Sequence, residues 1–329
     1  MSQHREIVPD VRPHRTLVGG PISLAPDATD FFLSAAAGDG VEIIPLGPHT
    51  TGLIWLSEKR ADELHEILRQ YPGIQWLQLP WAGVDAFASV LTTLAQIPEA
   101  TRPVVTSAKG AYSEPVAEHA LALLLATLRE LPRKAREARW QEHRTGLSLF
   151  GAHIVVLGAG GVARTFLELV APFRPRVTVI RRGSGAVDGA DQTLTPDRLL
   201  EALADADAVV VAAAATDSTR HIIGATELAA LPDHAVLVNV ARGSLVDADA
   251  VVAAIEANTL WGAGLDVMEP EPFPDDHPIW HCNGVVITSH SADTPEMTRP
   301  LLAARIRANS LAYAAGTPMI GVVDVEDGY

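Results

Sequence analysis

The sequence predicts an α/β fold of two Rossmann-like domains, in which a doubly wound domain is inserted into a flavodoxin-like one. Short apolar runs alternate with helical patterns in both parts of the chain, and a glycine-rich turn joins a strand to a helix at residues 158–163. An amphipathic helix is expected at Met297–Ala315, with a tail that packs on the first domain. The expected domains are residues 1–115 plus 296–329, and residues 116–295.

Apolar segments of strand length alternate with polar helical stretches in the first domain. The clearest of these helices is the amphipathic stretch Arg60–Arg69. Such alternation is typical of a parallel sheet with crossover helices. The expected strands are Thr16–Val18, Val41–Pro45, Gly52–Leu56, Ile74–Leu79 and Val104–Ser107.

Two helices of different character are expected between the last strand of the first domain and the first strand of the second. Glu114–Leu131 is apolar and carries few charges before Arg129, so it is expected to be buried between domains or in a subunit interface. Arg133–Arg144 is basic and polar, contains Trp140, and is expected to form a solvated or interface helix.

The second domain shows a stronger strand and helix alternation, beginning at His153. Six strands separated by helical patterns predict a doubly wound sheet. The expected strands are Ile154–Leu157, Val177–Ile180, Ala208–Ala213, Val236–Val240, Gly262–Asp266 and Val285–Thr288.

Composition limits the possible partners and the compartment. The 329 residues are 48% hydrophobic and carry a formal net charge of −15, which argues against nucleic acid or an anionic membrane surface as a partner. The longest apolar run, Leu121–Leu128, is too short to span a membrane. The only cysteine, Cys282, allows neither an intramolecular disulfide nor a cysteine-pair zinc site, so we expect a cytoplasmic protein without a metal centre.

The glycine-rich turn is expected to bind a dinucleotide. It has the pattern GxGxxA after the strand Ile154–Leu157, where Gly158 permits a tight turn and Ala163 allows close helix packing. The alternative is that these residues form a glycine-rich βα turn that binds no ligand. The turn residues expected to contact the cofactor are Gly158, Gly160, Gly161 and Val162.

The end of the second strand indicates which cofactor is bound. An NAD enzyme usually has a carboxylate here for the adenine ribose, but this chain has Arg181, Arg182 and Ser184 nearby. Guanidinium groups bind phosphate bidentately, so we expect NADP(H) to be preferred and NAD(H) to be possible. The alternative is that one arginine is solvated or stacks on adenine without setting a preference.

Polar side chains follow three later strands. Arg242 follows Val236–Val240, Asp266 and Glu271 follow the next strand, and His290 follows the last. Open α/β sheets bind ligands at this edge. Reduction of a 2-oxo acid needs a cation for the carboxylate, a proton donor for the carbonyl oxygen and an anion that stabilises the protonated donor. Arginine, histidine and glutamate supply these groups.

At these residues the sequence resembles the D-isomer-specific 2-hydroxyacid dehydrogenase family, and within it the glyoxylate/hydroxypyruvate reductases. The resemblance lies in four ordered motifs, with two weaker ones in PWAGVD and AEHALALLLA, and it covers nearly the whole chain. The four motifs are GAGGVA, NVARGSLVD, GLDVMEPEP and TSHSAD. It implies an NAD(P)-dependent oxidoreductase that acts on a small 2-oxo or 2-hydroxy acid, and a homodimer.

The resemblance also implies catalytic roles. Arg242 would bind the substrate carboxylate and carbonyl, His290 would be the acid/base, and Glu271 would pair with His290, whereas Glu269 would not. Asp266 would face the nicotinamide carboxamide.

The remaining implied contacts concern the substrate and the cofactor. Backbone amides near Ala82 and Gly83 would hold the substrate carboxylate, beside Trp81. Further cofactor contacts are expected at Thr216, Val240, Ala241 and His290. The other histidines considered are expected to have no chemical role: His65, His119, His143, His221, His277 and His281.

Three positions depart from the family pattern. Ser289 stands where proline is usual and Asp293 where glycine is common, so the loop after His290 can differ in shape. The segment before Thr216 lacks the proline that in the family often follows the third strand of the dinucleotide-binding domain.

Two other functions remain open from the sequence. Relatives that oxidise formate or phosphite share the fold with the arginine and histidine, although formate oxidation usually pairs the histidine with an amide rather than a residue such as Glu271. A non-catalytic NAD(H)-sensing protein is the alternative from a different class, and the set Arg242, Glu271 and His290 argues against it.

Overall fold

A computed structural model describes residues 14–142, 144–183 and 185–326, so the predictions for His143 and Ser184 lie outside the described residues. The chain forms two compact units. One contains the described residues up to Tyr112 and those from Pro295 onward, and the other contains Ser113–Thr294. The expected domain boundaries fall within the first turns of the two helices that begin at Ser113 and Pro295.

Eleven strands and ten α-helices are assigned within the described residues. The strands are β1 (Ile22–Ala25), β2 (Gly52–Trp55), β3 (Trp76–Gln78), β4 (Val104–Thr106), β5 (His153–Leu157), β6 (Arg176–Ile180), β7 (Gln192–Leu194), β8 (Ala208–Val211), β9 (Val236–Asn239), β10 (Gly262–Leu265) and β11 (Val285–Ile287). The helices are α1 (Asp30–Ala36), α2 (Ala61–Gln70), α3 (Ala88–Ala95), α4 (Ser113–Leu128), α5 (Leu131–Ala135), α6 (Gly161–Val170), α7 (Leu199–Leu203), α8 (Ala225–Ala230), α9 (Ala248–Glu256) and α10 (Pro295–Ala315).

The first unit contains a parallel sheet in the order β1-β2-β3-β4. The expected strand at Val41–Pro45 is reduced to one parallel bridge between Ile43 and Ile22, on the free side of β1. This extra pairing completes the flavodoxin-like order, in which the second segment of the chain lies outside the first.

The strand expected at Thr16–Val18 is wrong. The first strand is β1, which lies directly between Pro21 and Pro26. Proline lacks the N–H that a ladder requires, so the two prolines limit this strand to four residues. Val18 is 80% exposed and contributes little to the core.

The tail packs back on the first unit, as expected. The amide of Val323 donates to the carbonyl of Val105, and that of Ser107 donates to Gly321. Val323 and Val325 are buried in the same apolar cluster as β2 and β3.

The second unit contains a seven-stranded parallel sheet in the order β11-β10-β9-β8-β5-β6-β7. The strand order reverses between β5 and β8, which is the switch point where doubly wound sheets bind their ligands. All residues of β5, β8, β9 and β10 are buried, because apolar clusters cover both faces. The edge strand β7 was not predicted, since its three residues are short of apolar side chains.

Helix α4 packs against the sheet and α6 of its own unit. A β-carbon at Gly264 would lie 2.9 Å from the β-carbon of Leu123, and one at Gly262 would lie 2.7 Å from Thr127. These two glycines of β10 therefore allow α4 to approach the sheet closely. Much of the apolar surface of α4, which was expected to face another domain or subunit, is thus covered by the sheet and α6 of its own unit.

The helix expected at Arg133–Arg144 is wrong beyond Ala135. Glu130, with φ of +51°, ends α4, and α5 then extends only over Leu131–Ala135. The following described residues are bends and irregular chain, and Trp140 is 92% exposed. A polar segment that buries no face gains little from tertiary packing to stabilise a helix.

Among the described residues, none of the helices has the length and apolar character that crossing a membrane requires.

Candidate active site and dinucleotide site

Candidate site residues follow the carboxyl ends of three neighbouring strands. Arg242 lies three residues after β9, Asp266 directly follows β10, and His290 lies three residues after β11. Because β9, β10 and β11 are parallel neighbours, these loops meet at the same edge of the sheet.

His290 and Glu271 are joined by a hydrogen bond. The distance from Nδ1 of His290 to Oε2 of Glu271 is 2.8 Å, and a carboxylate only accepts, so Nδ1 carries the proton. The two side chains are 50% and 41% exposed. The second ring nitrogen, Nε2, has no hydrogen-bond partner within the described residues, so it remains available to a ligand.

Glu269 makes a different contact. Its carboxylate accepts a hydrogen bond from the guanidinium of Arg220 at 3.0 Å, and the other terminal nitrogen of Arg220 lies 2.8 Å from the second carboxylate oxygen. This hydrogen-bonded pairing lowers the pKa of Glu269. The structure therefore distinguishes the two glutamates of the MEPEP segment: Glu271 contacts His290 and Glu269 contacts Arg220.

The loop that carries Arg242 is held by a fully buried side chain. Asn239 accepts a hydrogen bond from the Ala241 amide at 3.0 Å and donates one to the Arg242 carbonyl at 2.9 Å. The Arg242 guanidinium donates to the Ala241 carbonyl at 2.7 Å. Val240 is buried and Ala241 half-buried in this segment.

Gly243 brings two of these loops into contact. A β-carbon at Gly243 would lie 1.9 Å from the carbonyl carbon of Met268, which no side chain can tolerate. The backbone after Arg242 therefore packs directly on the backbone that leads to Glu271. Sequence reasoning assigned no role to Gly243, although it lies within NVARGSLVD.

Asp266 is 1% exposed and its carboxylate is surrounded by donors. It accepts hydrogen bonds from the Thr288 hydroxyl at 2.6 Å and from the amides of Ser291 and Ala292 at 2.9 and 3.2 Å. His119 lies 3.4 Å away. Burial raises the pKa of Asp266, but the hydrogen bonds from His119, Thr288 and Ser291 outweigh it, and the net pKa is lowered.

His119 was expected to have no role in chemistry, yet it contacts this carboxylate. It lies on α4, and its Nε2 is 2.9 Å from the Thr288 hydroxyl. The contact links residues 169 positions apart, so no local pattern predicts it. The only signal was a polar Glu-His pair at the start of an apolar helix.

The glycine-rich turn has the geometry that a pyrophosphate site needs. Gly158 has φ of +107°, and a β-carbon there would lie 2.5 Å from the Ala212 carbonyl oxygen, so glycine is required. Gly160 precedes α6 without any side-chain cap, and no protein atom lies within 4 Å of a β-carbon built there. No protein atom therefore requires glycine at position 160. The open space beside its backbone would let a bound pyrophosphate approach closely, which a side chain would prevent.

The first turn of α6 completes this turn. Gly161 and Val162 begin the helix, and Ala163 is fully buried against the sheet. Helix N-termini direct amide N–H groups at bound phosphates. These residues fit a dinucleotide.

The arginines lie where expected, directly after β6. The Arg181 amide donates to the Leu194 carbonyl, and its guanidinium has no carboxylate partner in the described part of the chain. Arg182 is exposed.

Thr216 occupies the turn after β8. Its hydroxyl lies 3.0 and 3.1 Å from the hydroxyls of Ser218 and Thr219, and its amide donates to Thr219. These contacts hold the turn and leave the hydroxyl able to accept or donate one further bond.

In the first unit, the segment Trp81–Gly83 follows β3. The Trp81 ring packs edge-on against Tyr112, with ring centroids 5.8 Å apart, and its carbonyl accepts from the Ala108 amide at 3.0 Å. The amides of Ala82 and Gly83 have no acceptor among the residues that the structure describes. Two such amides suit an anionic ligand.

Comparison with known proteins gives one consistent result. The family model described as D-isomer specific 2-hydroxyacid dehydrogenase, NAD binding domain, matches residues 120–292. An uncharacterized protein in the proB 3' region of Corynebacterium melassecola is 34% identical over 262 residues, which are 78% of this chain and 84% of that protein. A glyoxylate reductase of Korarchaeum cryptofilum is 30% identical over 223 residues, which are 64% of this chain and 66% of that protein.

A similar solved structure is a D-isomer specific 2-hydroxyacid dehydrogenase from Xanthobacter autotrophicus Py2 in complex with NADPH and MES. It has a TM-score of 0.78 and 25% identity, and the match covers 95% of this chain and 100% of that one.

Proposed function

The chain belongs to the D-isomer specific 2-hydroxyacid dehydrogenase family of NAD(P)-dependent oxidoreductases, and on this premise we propose that it reduces glyoxylate, hydroxypyruvate or a similar short 2-oxo acid to the D-2-hydroxy acid with NADPH. The observation that carries the proposal is the 2.8 Å hydrogen bond between His290 and Glu271, at the sheet edge that also carries Arg242.

The proposed reaction assigns one role to each of these groups. Nε2 of protonated His290 gives its proton to the carbonyl oxygen as that oxygen gains negative charge. Arg242 binds the substrate carboxylate and stabilises the developing charge. Glu271 orients the imidazole and stabilises its cation. A reduced nicotinamide bound in the dinucleotide site would supply the hydride for the carbonyl carbon.

The backbone amides of Ala82 and Gly83 are proposed as further donors to the substrate carboxylate, with Trp81 beside them. Their support is the lack of other acceptors for these amides in the described chain. Asp266 is proposed to face the nicotinamide carboxamide, and Thr216, Val240 and Ala241 to contact the cofactor from the ends of β8 and β9.

Preference for NADP(H) is the finer part of the proposal. Arg181 and Arg182 stand where an NAD enzyme needs a carboxylate, and two guanidiniums suit a 2′-phosphate. The Xanthobacter relative was solved with NADPH, which supports the same choice. NAD(H) is proposed as the weaker cofactor.

A homodimer is proposed as the working form. Leu131 and Trp140, 52% and 92% exposed, lie after α4 and present apolar surface without a partner in the described chain. Trp140→Ser should shift the mass measured by light scattering toward the monomer. An unchanged mass would remove Trp140 from the interface, and a monomeric wild type would reject the dimer.

The proposed function is tested by following NADPH and NADH oxidation with glyoxylate, hydroxypyruvate, pyruvate, phenylpyruvate and longer 2-oxo acids. Turnover with a short acid that yields the D-product supports the proposal. Cofactor binding without turnover on any of them would reject it, and would favour the NAD(H)-sensing alternative.

A further inference from the structure

The loop after β11 is fastened to Asp266 by three consecutive amides. The amide of His290 donates to the Asp266 carbonyl at 2.7 Å, and those of Ser291 and Ala292 donate to its carboxylate. His290 itself has φ of +47°, a left-handed conformation that is unfavourable for a residue with a β-carbon. Such a conformation persists only where surrounding contacts determine it. The Asp266 contacts therefore fix the backbone from which His290 reaches Glu271.

The hydrogen-bond directions around Thr288 follow from the donor inventory. The single hydroxyl proton of Thr288 is used on the Asp266 carboxylate, at 2.6 Å, because a carboxylate only accepts. The Thr288 oxygen must then accept from His119, whose Nε2 lies 2.9 Å away. Nε2 of His119 therefore carries a proton, and this nitrogen also lies 3.4 Å from Oδ1 of Asp266.

The carboxylate of Asp266 is buried, and a buried charge is costly unless hydrogen bonds and nearby opposite charge compensate it. Among its hydrogen-bonding and ion-pair partners in the described chain, His119 is the one side chain that can become a cation. Its side chain is 22% exposed and lies on α4, an element that packs firmly on β10.

We propose that His119 is a positioning residue for His290. It does not touch the substrate. Through Thr288 and Asp266 it holds the loop conformation in which His290 meets Glu271, so that loss of its hydrogen bond displaces the proton donor. This inference rests on the proposed function for its kinetic consequence, while the contacts on which it is built are independent of the substrate.

The test compares His119→Phe, which keeps a ring but removes the donor, with His119→Gln, which keeps an N–H donor. A misplaced catalytic group costs on the order of 10- to 100-fold in rate, so kcat of His119→Phe should fall by about that factor, with NADPH affinity by fluorescence titration within about threefold. His119→Gln should retain most of the wild-type kcat. A purely structural role predicts instead that kcat follows thermal stability in both variants.

Two further variants control for folding and for the network. Thr288→Val removes the intermediate hydroxyl, and the double variant with His119→Phe should cost no more than either single change, because both break the same chain of contacts. His234→Phe is the matched control, since His234 pairs with Asp207 at 2.9 Å beside the starts of β9 and β8, at the opposite edge of the sheet. It should leave kcat unchanged.

A readout without substrate separates this inference from the proposed function. In ¹⁵N-histidine spectra, the His290 ring signal is identified by its absence from His290→Ala. His119→Phe should move that signal, whereas His119→Gln and His234→Phe should not. A wild type that turns over no 2-oxo acid would reject the proposed function while the spectra still decide the positioning. An unmoved His290 signal in His119→Phe, or an unchanged kcat, would overturn the inference.

Discussion

The Nδ1–H of His290 donates a 2.8 Å hydrogen bond to Oε2 of Glu271, and the same glutamate accepts the Met268 amide at 3.2 Å through Oε1. The carboxylate is therefore fixed on one side by the backbone and on the other by the imidazole. This arrangement leaves Nε2 of His290 as the ring atom that can exchange a proton with a substrate.

The charge of Glu271 should matter more than its shape. Glu271→Gln keeps a side-chain oxygen near Nδ1 but removes the anion that stabilises the imidazolium, so kcat should fall by about 10²-fold or more. Steady-state kinetics and NADPH titration check this. The control is Glu269→Gln on the same segment, which loses only the pair with Arg220. Equal losses in both variants would contradict the assignment of Glu271.

Cofactor choice should depend on the arginines after β6. Changing Arg181 and Arg182 together to glutamine removes charge-assisted contacts to a 2′-phosphate, and should raise KM for NADPH by about tenfold or more. KM for NADH should change much less. Arg198→Gln, which breaks an exposed pair with Glu201, serves as the control. Equal effects on both cofactors would reject a 2′-phosphate site at these residues.

Gly243 should tolerate no side chain. Gly243→Ala places a β-carbon 1.9 Å from the Met268 carbonyl carbon, which separates the Arg242 loop from the Glu271 loop. We expect a loss of about 1–3 kcal/mol in the free energy of unfolding by denaturant, together with a fall in kcat. A β-carbon at Gly73 would lie 3.8 Å from the nearest atom, so Gly73→Ala should change neither the free energy of unfolding nor kcat appreciably. Wild-type stability in Gly243→Ala would show that these loops adjust freely.

Asp266 should make stability depend on pH in a defined direction. Burial raises its pKa, but hydrogen bonds from His119, Thr288 and Ser291 lower it by more than burial raises it. The pKa of Asp266 in the folded protein is therefore below its value in the unfolded chain. Its ionisation therefore contributes stability at neutral pH, and this is lost as pH falls below about 3.9, the ordinary value, through the folded pKa.

The measurement is urea unfolding of the wild type and Asp266→Asn between pH 7 and pH 3. Hydrogen bonds to a charged group contribute about 1.5–3 kcal/mol each. The difference in free energy of unfolding between the wild type and Asp266→Asn should therefore be large at pH 7 and become smaller toward pH 3. Asp233→Asn, whose side chain is 83% exposed, provides the comparison. A difference that stays constant with pH would show that the charge of Asp266 is not its origin.

The second sheet was predicted closely because its four central strands, β5, β8, β9 and β10, are fully buried. Such strands are continuous apolar runs, as β8 and β9 are, and their carboxyl ends then place Arg242, Asp266 and His290 at one edge without further information. The edge strand β7 lacks that signal, since two of its three residues, Gln192 and Thr193, are polar.

In the first sheet, β2, β3 and β4 lie within the predicted strands, whereas β1 was missed. Pro21 and Pro26 on its two sides limit β1 to four residues, and a search for longer apolar runs does not find so short a strand. Helices α1 and α3 were missed because neither has a strong apolar period next to clear capping residues. The irregular chain after α5 carries a helix-forming composition without a buried face.

Within the site, the sequence supplied the groups at strand ends but not those that reach them from elsewhere. His119 contacts Thr288 across 169 residues, and Gly243 is constrained by the backbone of Met268 rather than by its own conformation. Both relations depend on packing between elements that are distant in the chain, which local patterns do not contain.

The central claim is that His290 is the proton donor in reduction of a short 2-oxo acid. The most direct measurement is single-turnover oxidation of bound NADPH by glyoxylate or hydroxypyruvate in the wild type and in His290→Ala, with NADPH affinity titrated in both. We predict equal NADPH affinity and a rate lower by about 10²- to 10⁴-fold in His290→Ala. Oxidation at the wild-type rate in His290→Ala would contradict the account.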